Sequence, residues 1–143
     1  MTYRFTTSFP YLLNRVGVRM GELFSLRLTE YQLTLPMYRV MAVLRQEGAQ
    51  RLGDLGAMVT VEVSTLSRLI TTMQRKGLVT RVRPEDNGRT VSIALTPDGE
   101  ELVDKLMPLA AHFEAVGTKT FSAKEVAWLK QALSQIHANL QEL

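Results

Sequence analysis

Apolar residues recur at intervals of three and four through most of the chain, and at intervals of two in one short region. From about Ser8 to Leu28 they fall at Phe9, Leu12, Leu13, Val16, Met20, Leu23 and Phe24, the stripe of an amphipathic helix. Thr34-Leu35-Pro36 sets a capping threonine ahead of a proline in the first helical turn. Met37, Val40, Met41 and Leu44 then form one face of a second helix, which Gly48 ends. Leu52, Leu55 and Met58 predict a short third helix. A fourth runs from about Glu62 to Lys76. It carries Leu66, Leu69, Ile70 and Met73 on one side and Ser64, Thr65, Arg68, Thr71, Thr72 and Arg75 on the other. Gly77 suits the residue just past its end, and Arg75 and Lys76 complement the negative end of its dipole.

At Leu78 the period changes. Leu78 to Arg83 and Thr90 to Leu95 are β-biased runs, and Val91, Ile93 and Leu95 alternate with Ser92 and Ala94. The polar tip Pro84-Glu85-Asp86-Asn87-Gly88 between them is turn chemistry, so a two-stranded hairpin is predicted. Thr96-Pro97 opens a fifth helix through Leu102, Val103, Leu106, Leu109, Phe113 and Val116. Pro108 lies inside it and is expected to kink or interrupt it, because proline lacks a backbone donor and clashes with the preceding turn. Ser122 to Glu125 reads as a capping box. The last helix then shows Val126, Leu129, Leu133, Ile136 and Leu140. That apolar side is more extensive than a solvent-facing helix needs, and either the rest of the chain or a partner chain would cover it. A supporting helix, a second amphipathic helix and a hairpin, in that order, are the elements of a winged helix-turn-helix. The expected fold is mainly α, with six helices and a two-stranded β-wing.

Charge sharpens this picture. Between Arg51 and Thr90, seven basic residues (Arg51, Arg68, Arg75, Lys76, Arg81, Arg83, Arg89) stand against four acidic ones (Asp54, Glu62, Glu85, Asp86). That surplus accounts for the whole formal charge of +3. A basic sector on a neutral body favours a polyanionic partner, although a solvated face with surplus arginine has the same balance. The chain has no cysteine, which excludes disulfides, thiolate metal sites and thiol redox sensing. With His112 and His137 as its only histidines, a multi-histidine metal site is not expected, though carboxylates could still bind a metal; no cofactor is expected. No apolar run reaches the length of a membrane span, and residues 1–24 lack the pattern of a signal peptide, so a cytoplasmic protein is expected.

Five segments carry a family resemblance. They are Leu33-Thr34-Leu35-Pro36-Met37-Tyr38-Arg39-Val40, Leu52-Gly53-Asp54-Leu55, Ser64-Thr65-Leu66-Ser67-Arg68-Leu69, Lys76-Gly77-Leu78-Val79-Thr80-Arg81 and Arg89-Thr90-Val91-Ser92-Ile93-Ala94-Leu95-Thr96. In order and register, without gaps from about Leu33 to Glu101, they resemble the MarR (multiple antibiotic resistance regulator) family of bacterial transcription factors. The resemblance implies helices over 8–28, 35–47, 52–58, 62–76, 97–118 and 122–140 in a single domain. Within it, 33–96 would be the winged-helix part, and 1–32 with 97–143 the homodimerisation part. Three positions depart from the family pattern. Arg51 replaces a frequent Thr or Ser cap, Thr60 a frequent Gly in the helix-turn-helix turn, and Asn87 the usual Asp that braces the wing arginine. Asp86 and Glu85 are the alternative braces.

A recognition helix reads base edges with its first turns and meets phosphates with other polar side chains. Ser64, Thr65, Ser67 and Arg68 occupy the first turns, with Arg68 the candidate for a bidentate guanine contact. Thr71, Thr72 and Arg75 are placed for phosphates, although Ser and Thr also simply fill helix surfaces. Arg89 at the wing is expected in a minor groove and Arg83 near phosphates, with a plain solvated hairpin as the alternative. The symmetry of such a dimer implies a pseudo-palindromic operator, and the resemblance implies repression by steric occlusion, with activation as the alternative. It also implies release by a small aromatic carboxylate or phenolic effector bound between the dimer base and the winged helix. Tyr11, Arg15, Arg19, Met37, Tyr38 and Met41 are the candidates for that effector. Against them, Arg19 has Glu22 three residues on, and the methionines suit a core equally well.

Two other function classes compete. An enzyme is not expected, since there is no Gly-rich phosphate loop, cysteine nucleophile or metal-ligand cluster. Asp98, Glu100, Glu101 and Asp104 at a helix start are explained by dipole complementarity. A winged-helix module that binds protein, without effector binding, is the second alternative. The basic balance and Arg89 oppose it, while Asn87 leaves it room.

Overall fold

The computed structural model describes residues 2–83 and 90–143. The helices are α1 (Phe9–Leu28), α2 (Leu35–Glu47), α3 (Leu52–Val59), α4 (Val63–Arg75), α5 (Pro97–Gly117) and α6 (Ala123–Leu140). The strands are β1 (Gln50–Arg51), β2 (Val79–Val82) and β3 (Ser92–Leu95). Short 3₁₀ turns cover Phe5–Thr7 and Thr29–Tyr31.

Helix starts follow the capping residues. Ser8 accepts a hydrogen bond from the Tyr11 amide, Thr34 from that of Met37, and Ser122 from that of Glu125, whose carboxylate in turn accepts from the Ser122 amide. Thr96 has two roles. Its hydroxyl accepts from the Gly99 amide at 3.0 Å and donates to the Gly77 carbonyl at 2.6 Å, so the start of α5 is tied to the end of α4. Gly77 sits at φ 75°, where glycine is unstrained, and the Leu78 amide reaches back to the Met73 carbonyl at 3.0 Å. A Cβ at Gly99 would collide with the Leu78 carbonyl, so only glycine lets α5 lie this close to the strand.

The hairpin strands pair antiparallel, with Val79 opposite Leu95 and Val82 opposite Ser92. A third strand, absent from the sequence reading, lines the other side of β3, with Gln50 opposite Ile93 and Arg51 opposite Ser92. At two residues it is too short to show alternation. Helix α5 also differs from expectation. It runs from Pro97 to Gly117 through Pro108, so of the kink or interruption expected there the interruption does not occur.

The chain divides into two compact units, Met1–Pro108 and Leu109–Leu143. In the first, Phe24, Leu28, Val40, Met41, Leu44, Leu55, Leu66, Ile70, Met73, Val79, Ile93, Val103 and Leu106 form one core beneath the winged helix. Arg45 closes its rim. Its guanidinium donates to both carboxylate oxygens of Asp104, at 2.8 and 3.2 Å, and lies 2.9 Å from Glu100. The hydrogen bond and the attraction of this pair hold the Asp104 carboxyl below the usual aspartate range and raise the Arg45 pKa. All three groups are substantially exposed, so the cluster orients α5 on α2 more than it stabilises the fold. In the second unit Lys130 pairs with Glu114 at 3.0 Å, and α6 buries no residue.

Candidate nucleic-acid interface

Helix α4 has the most one-sided distribution of apolar residues in the chain. Leu66, Ile70 and Met73 are buried, and Ser64, Thr65, Arg68 and Arg75 are exposed on the opposite side. The guanidiniums of Arg68 and Arg75 form no hydrogen bond or ion pair with any other described residue, so both keep their donors for an external acceptor. Glu62 occupies the cap position without a side-chain hydrogen bond. The amides of the first turn therefore also point outward unsatisfied by that side chain.

The remaining α4 candidates are half-buried and locally engaged. Thr71 donates to the Ser67 carbonyl at 3.1 Å and Thr72 to the Arg68 carbonyl at 3.2 Å. Arg81 on β2, given no role in the sequence reading, reaches over to α4. It donates to Gln74 Oε1 at 2.8 Å, and to the Ser67 carbonyl and the Thr71 hydroxyl at 3.3 Å each. Its sequence signals are its place in the basic sector and at the end of the Lys76–Arg81 motif. Arg83 is exposed just beyond β2. Arg89 and Asn87, on which the wing-tip expectations rest, lie outside the described residues.

The turn between α3 and α4 is unusual. Thr60 ends α3 at φ 59°, ψ 49°, a left-handed conformation that a β-branched residue rarely adopts. This is the position where glycine was expected from the family pattern.

The effector candidates do not converge on one site. Tyr11, Arg15 and Arg19 line an open groove of about 530 Å³ on α1, with Asn14, Val18 and Glu22. Arg19 also faces a larger groove of about 720 Å³ that includes Glu22, Leu35 and Arg39, a residue passed over in the sequence reading. The Arg19–Glu22 pair exists but is long, at 3.8 Å. Tyr38 lies elsewhere. It packs edge-on against Phe24 at 4.8 Å, partial burial raises its phenol pKa, and it borders a third groove with Arg39, Met58 and Thr60. Met37 and Met41 are buried in the core and line none of these grooves.

Comparison with known proteins fits this architecture. The MarR family profile matches residues 33–91, from the residue before the α2 cap to the residue before β3. The chain belongs to the MarR family. It is 26% identical to the organic hydroperoxide resistance transcriptional regulator of Bacillus subtilis over 132 residues, spanning 92% of this chain and 88% of that one. It is 23% identical to the transcriptional repressor IacR of Pseudomonas putida over 136 residues, spanning 94% and 81%. The solved structure of Bordetella bronchiseptica BpsR superimposes with a TM-score of 0.84 at 23% identity, covering 96% of this chain and 98% of that one. DNA binding by BpsR is regulated by 6-hydroxynicotinic acid. This MarR-family chain is thus a transcriptional regulator with a six-helix winged-helix fold, and none of its described helices is long and apolar enough to cross a membrane.

Proposed function

We propose that this regulator is a cytoplasmic repressor that binds a pseudo-palindromic operator as a homodimer and is released by a small aromatic carboxylate. The observation that carries the DNA-reading part is the outer face of α4, where Arg68 and Arg75 have no partner among the described residues. In this reading Arg68 takes a guanine edge, Ser64, Thr65 and Ser67 read or position beside it, and Arg75 and Arg83 meet phosphates. Arg89 enters the minor groove. Residues 33–96 form the reading part, and 1–32 with 97–143 the dimer base. Repression is supported by the kinship with IacR, and by the simplicity of an operator-bound dimer excluding other proteins.

The release step is supported by the BpsR precedent and by the α1 grooves. Arg19 and Arg39 face one groove together, and Arg15 with Tyr11 extends the adjoining one. A carboxylate suits a pair of guanidiniums and an aromatic ring suits Tyr11 and Leu35. To release DNA, the ligand must bind the DNA-incompetent arrangement of the dimer more tightly than the competent one.

One titration series tests both parts. A duplex enriched from a random pool by the wild-type protein is bound across a range of salt, with and without a panel of hydroxylated aromatic carboxylates. Arg68→Ala is expected to weaken binding by about tenfold or more, the worth of a bidentate base contact. Arg19→Ala is expected to leave binding intact and abolish its weakening by the active carboxylate. If Arg68→Ala binds like wild type, the base-reading assignment fails. If the carboxylates act equally on Arg19→Ala, or on neither protein, the groove is not the effector site.

A further inference from the structure

Arg81 belongs to the hairpin but directs its guanidinium to the recognition helix. Its three acceptors, Gln74 Oε1, the Ser67 carbonyl and the Thr71 hydroxyl, are all neutral. No described carboxylate pairs with it, so the fork is anchored while its charge is retained. Positions 67, 71 and 74 form one row along α4, spaced by four and three. That row runs along the flank between the buried residues Leu66, Ile70 and Met73 and the exposed face with Arg68 and Arg75. One side chain from β2 therefore grips about two turns of the helix.

The grip also fixes Thr71. Its single proton goes to the Ser67 carbonyl at 3.1 Å, and its oxygen accepts from Arg81. The hydroxyl thus serves the network rather than a phosphate. A planar guanidinium with paired donors can bridge Gln74 on one side and Ser67 with Thr71 on the other. A lysine ammonium brings the same charge but not that fork.

We propose that Arg81 is a positioning residue for sequence reading, locking α4 to the first strand of the hairpin so that the base-reading face and the wing meet the duplex in one fixed relation. This rests on the DNA-binding reading above. It separates two properties of the residue: the charge contributes to binding any DNA, and the fork geometry contributes only to the cognate sequence. Thr71 and Gln74 thereby become part of specificity without touching a base.

The test uses the full-length protein, a selected duplex of about 30 bp and a scrambled duplex of equal length. For Arg81→Lys, affinity for the selected duplex is expected to fall about tenfold. Affinity for the scrambled duplex and the salt slope should change by less than about twofold, because the charge survives. Gln74→Ala removes one acceptor and no charge, and is expected to act in the same direction with a smaller loss. Combined with Arg81→Lys it should cost less than the sum, as partners in one network do. Wild-type-like binding of both duplexes by Arg81→Lys would overturn the proposal, and so would an equal loss on both. If the wild-type protein binds neither duplex in a salt-dependent way, the DNA-binding reading itself has failed, an outcome distinct from either of those.

Discussion

Helices α4 and α6 carry comparable sequence patterns and end in opposite situations. Helix α4, of 13 residues, buries Leu66, Ile70 and Met73 and turns its polar side outward. Helix α6, of 18 residues, has Val126, Leu129, Leu133, Ile136 and Leu140 at the same spacings and buries none of them, while Trp128 is 68% exposed. Apolar periodicity specifies a face to be covered but not what covers it. For α4 the cover is the core of its own unit. In α6, Leu129 and Leu140 stay exposed and Val126, Leu133 and Ile136 are only half-buried, and in the first half of α1 Phe9, Leu12, Leu13 and Val16 are all exposed. Exposed apolar area of this extent on helices is the signature of an interface, and a second copy is the occupant that the proposed dimer supplies.

The largest effect expected is at the covered face. Leu66→Ala empties a fully buried site and should cost about 3 kcal/mol of folding free energy, the range for a leucine removed from a packed core. Thermal or urea melts read this directly, and a loss below about 1 kcal/mol would mean that α4 is not anchored as described. The uncovered face should respond differently. Leu129→Glu places a charge where the side chain is 42% exposed, so the fold of the single chain should tolerate it. Dimer dissociation should rise by about a hundredfold, because one carboxylate from each copy would have to be desolvated. Sedimentation equilibrium checks this. A Leu129→Glu protein that remains dimeric at wild-type strength would move the interface off α6.

That contrast also marks what was legible before the structure. Caps and breakers act locally, so Thr34 with Pro36, Gly77, and Ser122 with Glu125 located helix ends to within about one residue. Fold class followed from the order of those elements. Tertiary information was not legible. The grip of Arg81 joins positions 67, 71 and 74 to position 81 across a turn, and no spacing rule connects a strand to a helix flank. Strand β1 exists because β3 offers an edge to Gln50 and Arg51, which have no strand pattern of their own. Met37 and Met41 were candidates for a ligand site because methionine suits pockets and cores alike, and the structure places both in the core. Arg39 was passed over because its relevance comes from facing Arg19 on another helix.

Even the packed region contains a β-branched residue at odds with local preference, and this gives the smallest and most pointed test. Thr60 holds φ 59° between α3 and α4, where its Cβ crowds the backbone. The turn keeps this shape because both flanking helices are anchored: Leu55 and Val59 before it are buried, and so is Leu66 after it. The Val61 amide also donates to the Gly56 carbonyl at 3.0 Å across the turn. Glycine removes the crowding but gives the unfolded chain more freedom, and the two effects oppose each other. Relief of a left-handed β-branched residue is the larger, so Thr60→Gly should raise stability by about 1 kcal/mol, a few degrees in melting temperature. Alanine relieves less, because it keeps the Cβ. The ordering Gly above Ala above wild type would establish that strain in the turn, rather than a contact of the threonine hydroxyl, sets the difference. A Thr60→Gly protein that melts below wild type would show that the hydroxyl or the stiffness of the threonine is what the turn requires.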